Sequence, residues 1–322
     1  MKRLVQGSLA ASTWQSYDAA FARFRRFCRS RGVSPLPASQ TTVLHFMVSL
    51  FAASPRPSPS TLAVCLAAIG RAHRDCGYPS PVAGPLVADA RRGFARLAAP
   101  AATPLLAGAS VAQPALAARP VVRVPLPLRI ARAALQLFSF TSRATLRRDA
   151  ALVLCGFLFM LRASSLVALR IGAVAVTDEA LRLRVDVAKR GRGARFLSVP
   201  LQGDTACAVA VALAAFCRER ARASPPGAPL FALPAAASPS AAVTAALSRV
   251  LDALGFRPPP DTAFSAHSLR SGGATAALAA GAPLPVVMAW GGWQSLSSVQ
   301  RYLDPRVVGG PSALLFFCHL RR

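Results

Sequence analysis

Residues 266–304 read AHSLRSGGATAALAAGAPLPVVMAWGGWQSLSSVQRYLD, and four positions within them govern how the whole chain is read. His267 and Arg270 are three apart, a spacing that sets both side chains on one face of a helix and within reach of one ligand. Trp293 follows Arg270 by 23 positions, and Tyr302 follows Trp293 by nine. A histidine titrates near neutrality, a guanidinium offers a planar fork to an oxyanion, an indole N–H donates without accepting, and a phenolate is a nucleophile. Tyr302 is one of only three tyrosines against 17 phenylalanines. Each residue alone has a plain structural explanation: a satisfied histidine, a surface arginine, a core tryptophan, an amphipathic tyrosine on a C-terminal helix. Their order and spacing carry the argument.

Upstream, Ala150–Leu161 (AALVLCGFLFML) is the most apolar run in the chain and reads as a buried core helix that stops at Arg162. A cation directly after such a run is expected to be costly without an anionic partner. Leu181–Lys189 (LRLRVDVAK) alternates apolar and charged residues as a half-buried strand does, RGRG supplies a turn, and ARFLSVP returns as the partner strand. This hairpin carries Lys189 at its tip. Of 38 basic residues only Lys2 and Lys189 are lysines. A lysine at a shifted pKa can give up a proton and an arginine effectively cannot, so the choice favours proton transfer over a solvated turn cation beside Arg190 and Arg192.

Toward the N-terminus, Trp14, Tyr17, Phe21, Phe24, Phe27 and Cys28 recur at helical spacing across Ser12–Arg31, with Arg23, Arg25, Arg26 and Arg29 spread around the rest of the helix. Further helical patterns cover Thr41–Phe51, Ser60–Cys76 and Leu86–Leu97, together a small basic helical bundle over residues 1–100. Six prolines between Pro100 and Pro127 suit a linker over 101–127. A second domain over 128–322 opens with helices at Leu128–Phe140 and Leu146–Leu161 and, after the hairpin, resumes helical patterning at Asp204–Ala223 and Ser240–Leu254.

A formal net charge of +26 calls for a polyanionic partner, nucleic acid or an anionic membrane surface. The twelve-residue run Ala150–Leu161 falls well short of the roughly 20 residues that cross a bilayer. The basic start lacks an apolar stretch of signal-peptide length. Seven scattered cysteines without a CxxC pair read as reduced core thiols, which places the chain inside a cell, in the nucleus of a eukaryote or the cytoplasm or nucleoid of a bacterium.

With Arg162 and Lys189 ahead of His267, Arg270, Trp293 and Tyr302, the chain resembles the tyrosine recombinases of the phage-integrase family. The resemblance implies a mainly α fold with a small β-sheet or hairpin: a helical, SAM-like N-terminal DNA-binding domain and an α+β catalytic domain. It implies Tyr302 as nucleophile, Lys189 as general acid on the hairpin tip, His267 as acid/base or phosphate contact, and Arg162 and Arg270 as the phosphate clamp. Trp293 stands where the commonest pattern has a second histidine, and Ser165 where relatives usually carry an acidic residue supporting the first arginine. Double-stranded DNA is the implied partner, with no metal or nucleotide cofactor, no membrane, and a homo-tetramer on two DNA sites as the working assembly. The competing readings are a type IB topoisomerase, an inactive DNA-binding module descended from a recombinase, and, more remotely, a membrane-surface protein.

Overall fold

The first helix, α1 (Ala11–Ser30), turns one aromatic face inward: Phe24 and Cys28 are fully buried, while Arg23, Arg25, Arg26 and Arg29 are exposed. The computed structural model describes residues 8–9, 11–98, 122–186, 193–203 and 207–299. The chain divides into two compact units, Met1–Ala112 and Gln113–Arg322. In the first, α1 packs with α2 (Gln40–Ala52), α3 (Pro59–Asp75) and α4 (Pro85–Ala98), which match the helices expected there to within two residues. Ser39 and Ser58 cap α2 and α3 by accepting from the Thr42 and Thr61 amides. The core is aromatic, with Phe46 edge-on to Phe24 at 5.2 Å and Phe94 edge-on to Phe51 at 5.4 Å. The exposed arginines of α1 therefore stand on a rigid support.

The second unit begins inside the stretch expected to be linker. β1 (Val122–Arg123) pairs in parallel with β5 (Thr262–Ala263), and Leu126 is 1% exposed. The reason lies in the alternation of donors: the amides of Val122, Val124 and Leu126 donate to Asp261, Ala263 and Ser268, while Pro125 and Pro127 fall where no N–H is required. Prolines at the expected boundary thus edge a domain instead of merely separating two. Residues 101–120 of the expected linker lie outside the described residues.

Around this edge the unit is mainly helical, as expected. Helices α5 (Leu128–Phe140) and α6 (Ala144–Leu158) pack together, and α6 is buried from Asp149 to Leu158, so it is the central helix. The expected helix over 146–161 ends three residues early. Met160 adopts φ +49° and turns the chain, and Arg162 emerges exposed before the short α7 (Ala163–Ala168). Arg162 does directly follow the most apolar run, and the turn at 159–161 returns it to solvent.

An antiparallel sheet follows, β2 (Val174–Val176), β3 (Ala180–Asp186) and β4 (Ala194–Pro200), in which β3 and β4 are the two arms of the expected hairpin. The hairpin tip with Lys189 lies outside the described residues. Helices α8 (Ala208–Ala223), α9 (Pro239–Ala253), α10 (Ala266–Ala279), α11 (Leu284–Gly291) and α12 (Leu296–Val299) complete the unit. Its main core holds Cys155, Cys207 and Cys217 as free thiols, and burial pushes the Cys217 thiol up to about 12. Asp149, fully buried, accepts from Arg148 at 2.8 Å and from Arg249 at 2.6 Å, tying α6 to α9. No helix among the described residues is long and apolar enough to cross a membrane.

Candidate active site

The site is built on the C-terminal end of α11. Gly292 closes the helix in the left-handed conformation, φ +70° and ψ +46°, and its amide and that of Trp293 turn back onto the carbonyls of Ala289 and Met288. The turn aims the last carbonyls outward, at the negative end of the helix dipole. Three arginines from three separate elements converge on them.

Arg270, on α10, is 3% exposed. Its Nη1 donates to the Gly291 carbonyl at 2.8 Å and to the Met160 carbonyl, which the left-handed turn after α6 presents to it. The helix comes this close because a Cβ on Gly273 would collide with the Phe157 carbonyl of α6. Arg162 reaches the Gly292 carbonyl with Nη2 at 3.5 Å, and Arg195 on β4 reaches the Ala289 carbonyl with Nη1 at 3.4 Å. Arg162 and Arg195 form no ion pair among the described residues. Burial, and then repulsion from Arg162, hold the Arg195 pKa below its ordinary value.

Trp293 is 8% exposed and sits in a small core with Met160, Ala274, Ala277, Val287 and Val299. The Arg270 guanidinium carbon lies 3.8 Å from the centroid of its ring, a cation–π contact that orients the fork. In this structure the tryptophan carries Arg270 from beneath. His267 is exposed in the first turn of α10, where Ser268 supports the helix start by accepting from the Ser265 amide at 3.0 Å. It occupies the same helix face as Arg270, at the positive end of a 14-residue helix.

Of the six residues expected to form a site, Arg162, Arg270 and Trp293 gather on one turn and His267 stands on the helix that delivers Arg270. Lys189 and Tyr302 lie outside the described residues. The structure adds Arg195, which motif reading passed over. Its signal was the phase of the strand: Leu197 and Val199 face the core, so the position two before them does too. Arg162 and Arg195 each spend a single Nη on the turn, out of five guanidinium N–H groups, so their forks keep donors for an anion.

Residues 132–307, more than half of the chain, match the phage integrase family. The protein belongs to that family, the tyrosine recombinases, which are DNA strand-transfer enzymes. Solved structures agree in fold. The XerH site-specific recombinase bound to palindromic difH substrate in a post-cleavage complex aligns with a TM-score of 0.57 at 14% identity, over 89% of this chain and 75% of that one. A lambda integrase dimer (residues 75–356) bound to a COC′ core site gives 0.55 at 16% identity, over 97% and 95%. A lambda integrase tetramer bound to a Holliday junction gives 0.56 at 14%, over 95% and 75%. Curated proteins give no match by sequence.

Proposed function

We propose that this recombinase cuts and rejoins DNA strands through a 3′-phosphotyrosyl intermediate made by Tyr302. The observation that carries the reading is the convergence of guanidiniums on the α11 turn, on the segment that leads to Tyr302 nine residues after Trp293. A phosphodiester resists attack because its non-bridging oxygens repel the nucleophile, and arginine forks that bind both oxygens remove that barrier. Arg162 and Arg270 form the clamp. Trp293, by packing under Arg270, positions it.

The Tyr302 oxygen attacks phosphorus, the bond from phosphorus to O5′ breaks, and a Tyr302–phosphate bond takes its place. His267 exchanges the tyrosine proton, and Lys189 protonates the departing 5′-oxygen. The number of phosphoester bonds is unchanged, so the reverse attack by a 5′-hydroxyl rejoins a strand without a nucleotide or other energy source. Duplex DNA is the substrate, gripped by the arginines of α1 as well as by the second unit, and four copies on two sites form the working assembly inside the cell. The 1–100 bundle serves as the DNA-binding domain and 128–322 as the catalytic one.

Covalent trapping on nicked, mixed-sequence duplex, followed by denaturing electrophoresis, tests this. Wild type is expected to give a shifted, protease-sensitive band that Tyr302→Phe lacks. Binding by both proteins with a band from neither, repeated on native flanking DNA, would leave a DNA-binding module in place of an enzyme.

A further inference from the structure

Strand β4 reverses its own amphipathic pattern at two adjacent positions. In β3, Leu181, Leu183 and Val185 are buried and Arg182 and Arg184 exposed. The register sets Leu197 opposite Leu183, Arg195 opposite Val185 and Phe196 opposite Arg184. Residues directly opposite each other share a face, so Arg195 lies on the core side while Phe196, 75% exposed, faces solvent. A slip of one residue would bury the ring and free the charge, but it would also turn Leu197 and Val199 out of the core, so the register holds Arg195 inward. The strand keeps the unfavourable arrangement, a local conflict of the kind that marks functional positions.

The inward arginine arrives on the α11 turn from one side as Arg162 arrives from another. Its guanidinium rests on Gly292, where a Cβ would collide with Nη1. Helix-end carbonyls explain where the head groups lie but not why there are so many. A helix terminus offers about half a negative charge, and Arg162, Arg195 and Arg270 bring three positive ones. Among the described residues Arg162 and Arg195 have carbonyls but no carboxylate to answer their charge. A ligand with two oxygens bearing one shared charge would supply negative charge there and matches two adjacent forks.

We propose that Arg195 is a third phosphate-binding guanidinium of the site, contacting together with Arg162 the non-bridging oxygens of the phosphodiester that Tyr302 attacks. The proposal rests on the reading of the site given above. Arg195 stands on β4, the return arm of the hairpin whose tip carries Lys189.

The test has two arms. In the first, full-length wild type, Arg195→Ala, Arg162→Ala and the outer-face control Arg184→Ala are melted in sodium sulfate and in sodium chloride at equal ionic strength. Sulfate is expected to raise the melting temperature of wild type and Arg184→Ala, and the two site variants to lose most of that gain. An undiminished gain in Arg195→Ala overturns the proposal. In the second, single-turnover trapping is run on a duplex recovered from a random-sequence pool by the wild type. One version carries the ordinary scissile phosphate and the other a methylphosphonate, which removes its charge. Arg195→Ala is expected to slow covalent capture roughly 100-fold on the phosphodiester and to approach wild type on the neutral analogue. Equal losses on both substrates, or none on either, overturn it, because a merely structural role does not depend on the charge of the phosphate. Arg195→Lys, which keeps the stem and the charge, is expected to fall between the two and stands in if the alanine variant does not fold. If wild type captures neither substrate, the proposed function fails and the sulfate arm alone decides Arg195.

Discussion

Two arginine clusters lie in the second unit, and they are neutralised in opposite ways. At the start of the buried stretch of α6, Arg148 and Arg249 close on Asp149, a carboxylate with no exposure that takes hydrogen bonds at both oxygens. At the end of α11, Arg162, Arg195 and Arg270 close on backbone carbonyls. The first cluster has a carboxylate of the protein's own, one against two guanidiniums, and ties α6 to α9. The second keeps an excess of positive charge, which fixed dipoles soften without cancelling. In a chain with 36 arginines the residue type teaches little, and what answers its charge teaches a great deal.

The contrast is easiest to break at Asp149. Asp149→Ala leaves two partly exposed guanidiniums without their carboxylate and is expected to lower unfolding stability by about 1–3 kcal/mol, read by urea denaturation. Trapping measured well below the lowered melting point should be unchanged, and a folded variant that no longer traps would erase the distinction between the clusters. Arg270→Lys comes next. A compact ammonium cannot hold the Met160 and Gly291 carbonyls, stack on Trp293 and meet a phosphate together, so single-turnover capture should fall about 10²–10³-fold.

A smaller effect separates fold from site by pH. The Cys217 thiol ordinarily titrates near 9.0 and is pushed up to about 12 by burial. Unfolded chains lose this proton first, so its contribution is intact below pH 9 and drains away as pH rises toward 12, at about 1.4 kcal/mol per pH unit. The urea midpoint should drop between pH 8 and 10.5, and Cys217→Ala should flatten that drop. The smallest changes belong to the exposed arginines of α1. Arg23→Ala or Arg26→Ala should reduce the salt slope of DNA binding by about one each and leave capture by bound enzyme unaltered.

Much of this was legible in the sequence, because helices and hairpins advertise their periods. The aromatic spacing of α1 and the alternation of β3 translate directly into the faces they bury. His267, Arg270 and Trp293 were singled out by spacing, and Arg162 by its place after the apolar run. The turn at Met160 was not, since a buried helix and a buried turn are equally apolar, and nothing in FLFML announces a left-handed residue. The same turn lets Arg162 follow an apolar run and still reach solvent. β2 is three residues long, too short for a period to emerge. Pro125 and Pro127 read as linker because composition reports the missing donors and not the pairing that spares them. Arg195 was overlooked for a different reason: beside a basic turn it resembled one more solvated cation, although the phase set by Leu197 and Val199 already pointed it inward.

The adjacent glycines of the α11 turn have a consequence that belongs to descent more than to chemistry. A Cβ at 291 would enter the ring of Trp293, and one at 292 would enter the head group of Arg195 while straining a left-handed backbone. Every other amino acid carries that atom, so a replacement at 291 must displace the Trp293 ring, and one at 292 must hold a left-handed backbone and shift the Arg195 head group. A lineage that keeps this turn under Arg195 and Trp293 is expected to keep the pair, and one that keeps only the fold can let it drift. Along a family tree, the first branch without this pair would mark where an active enzyme became something else.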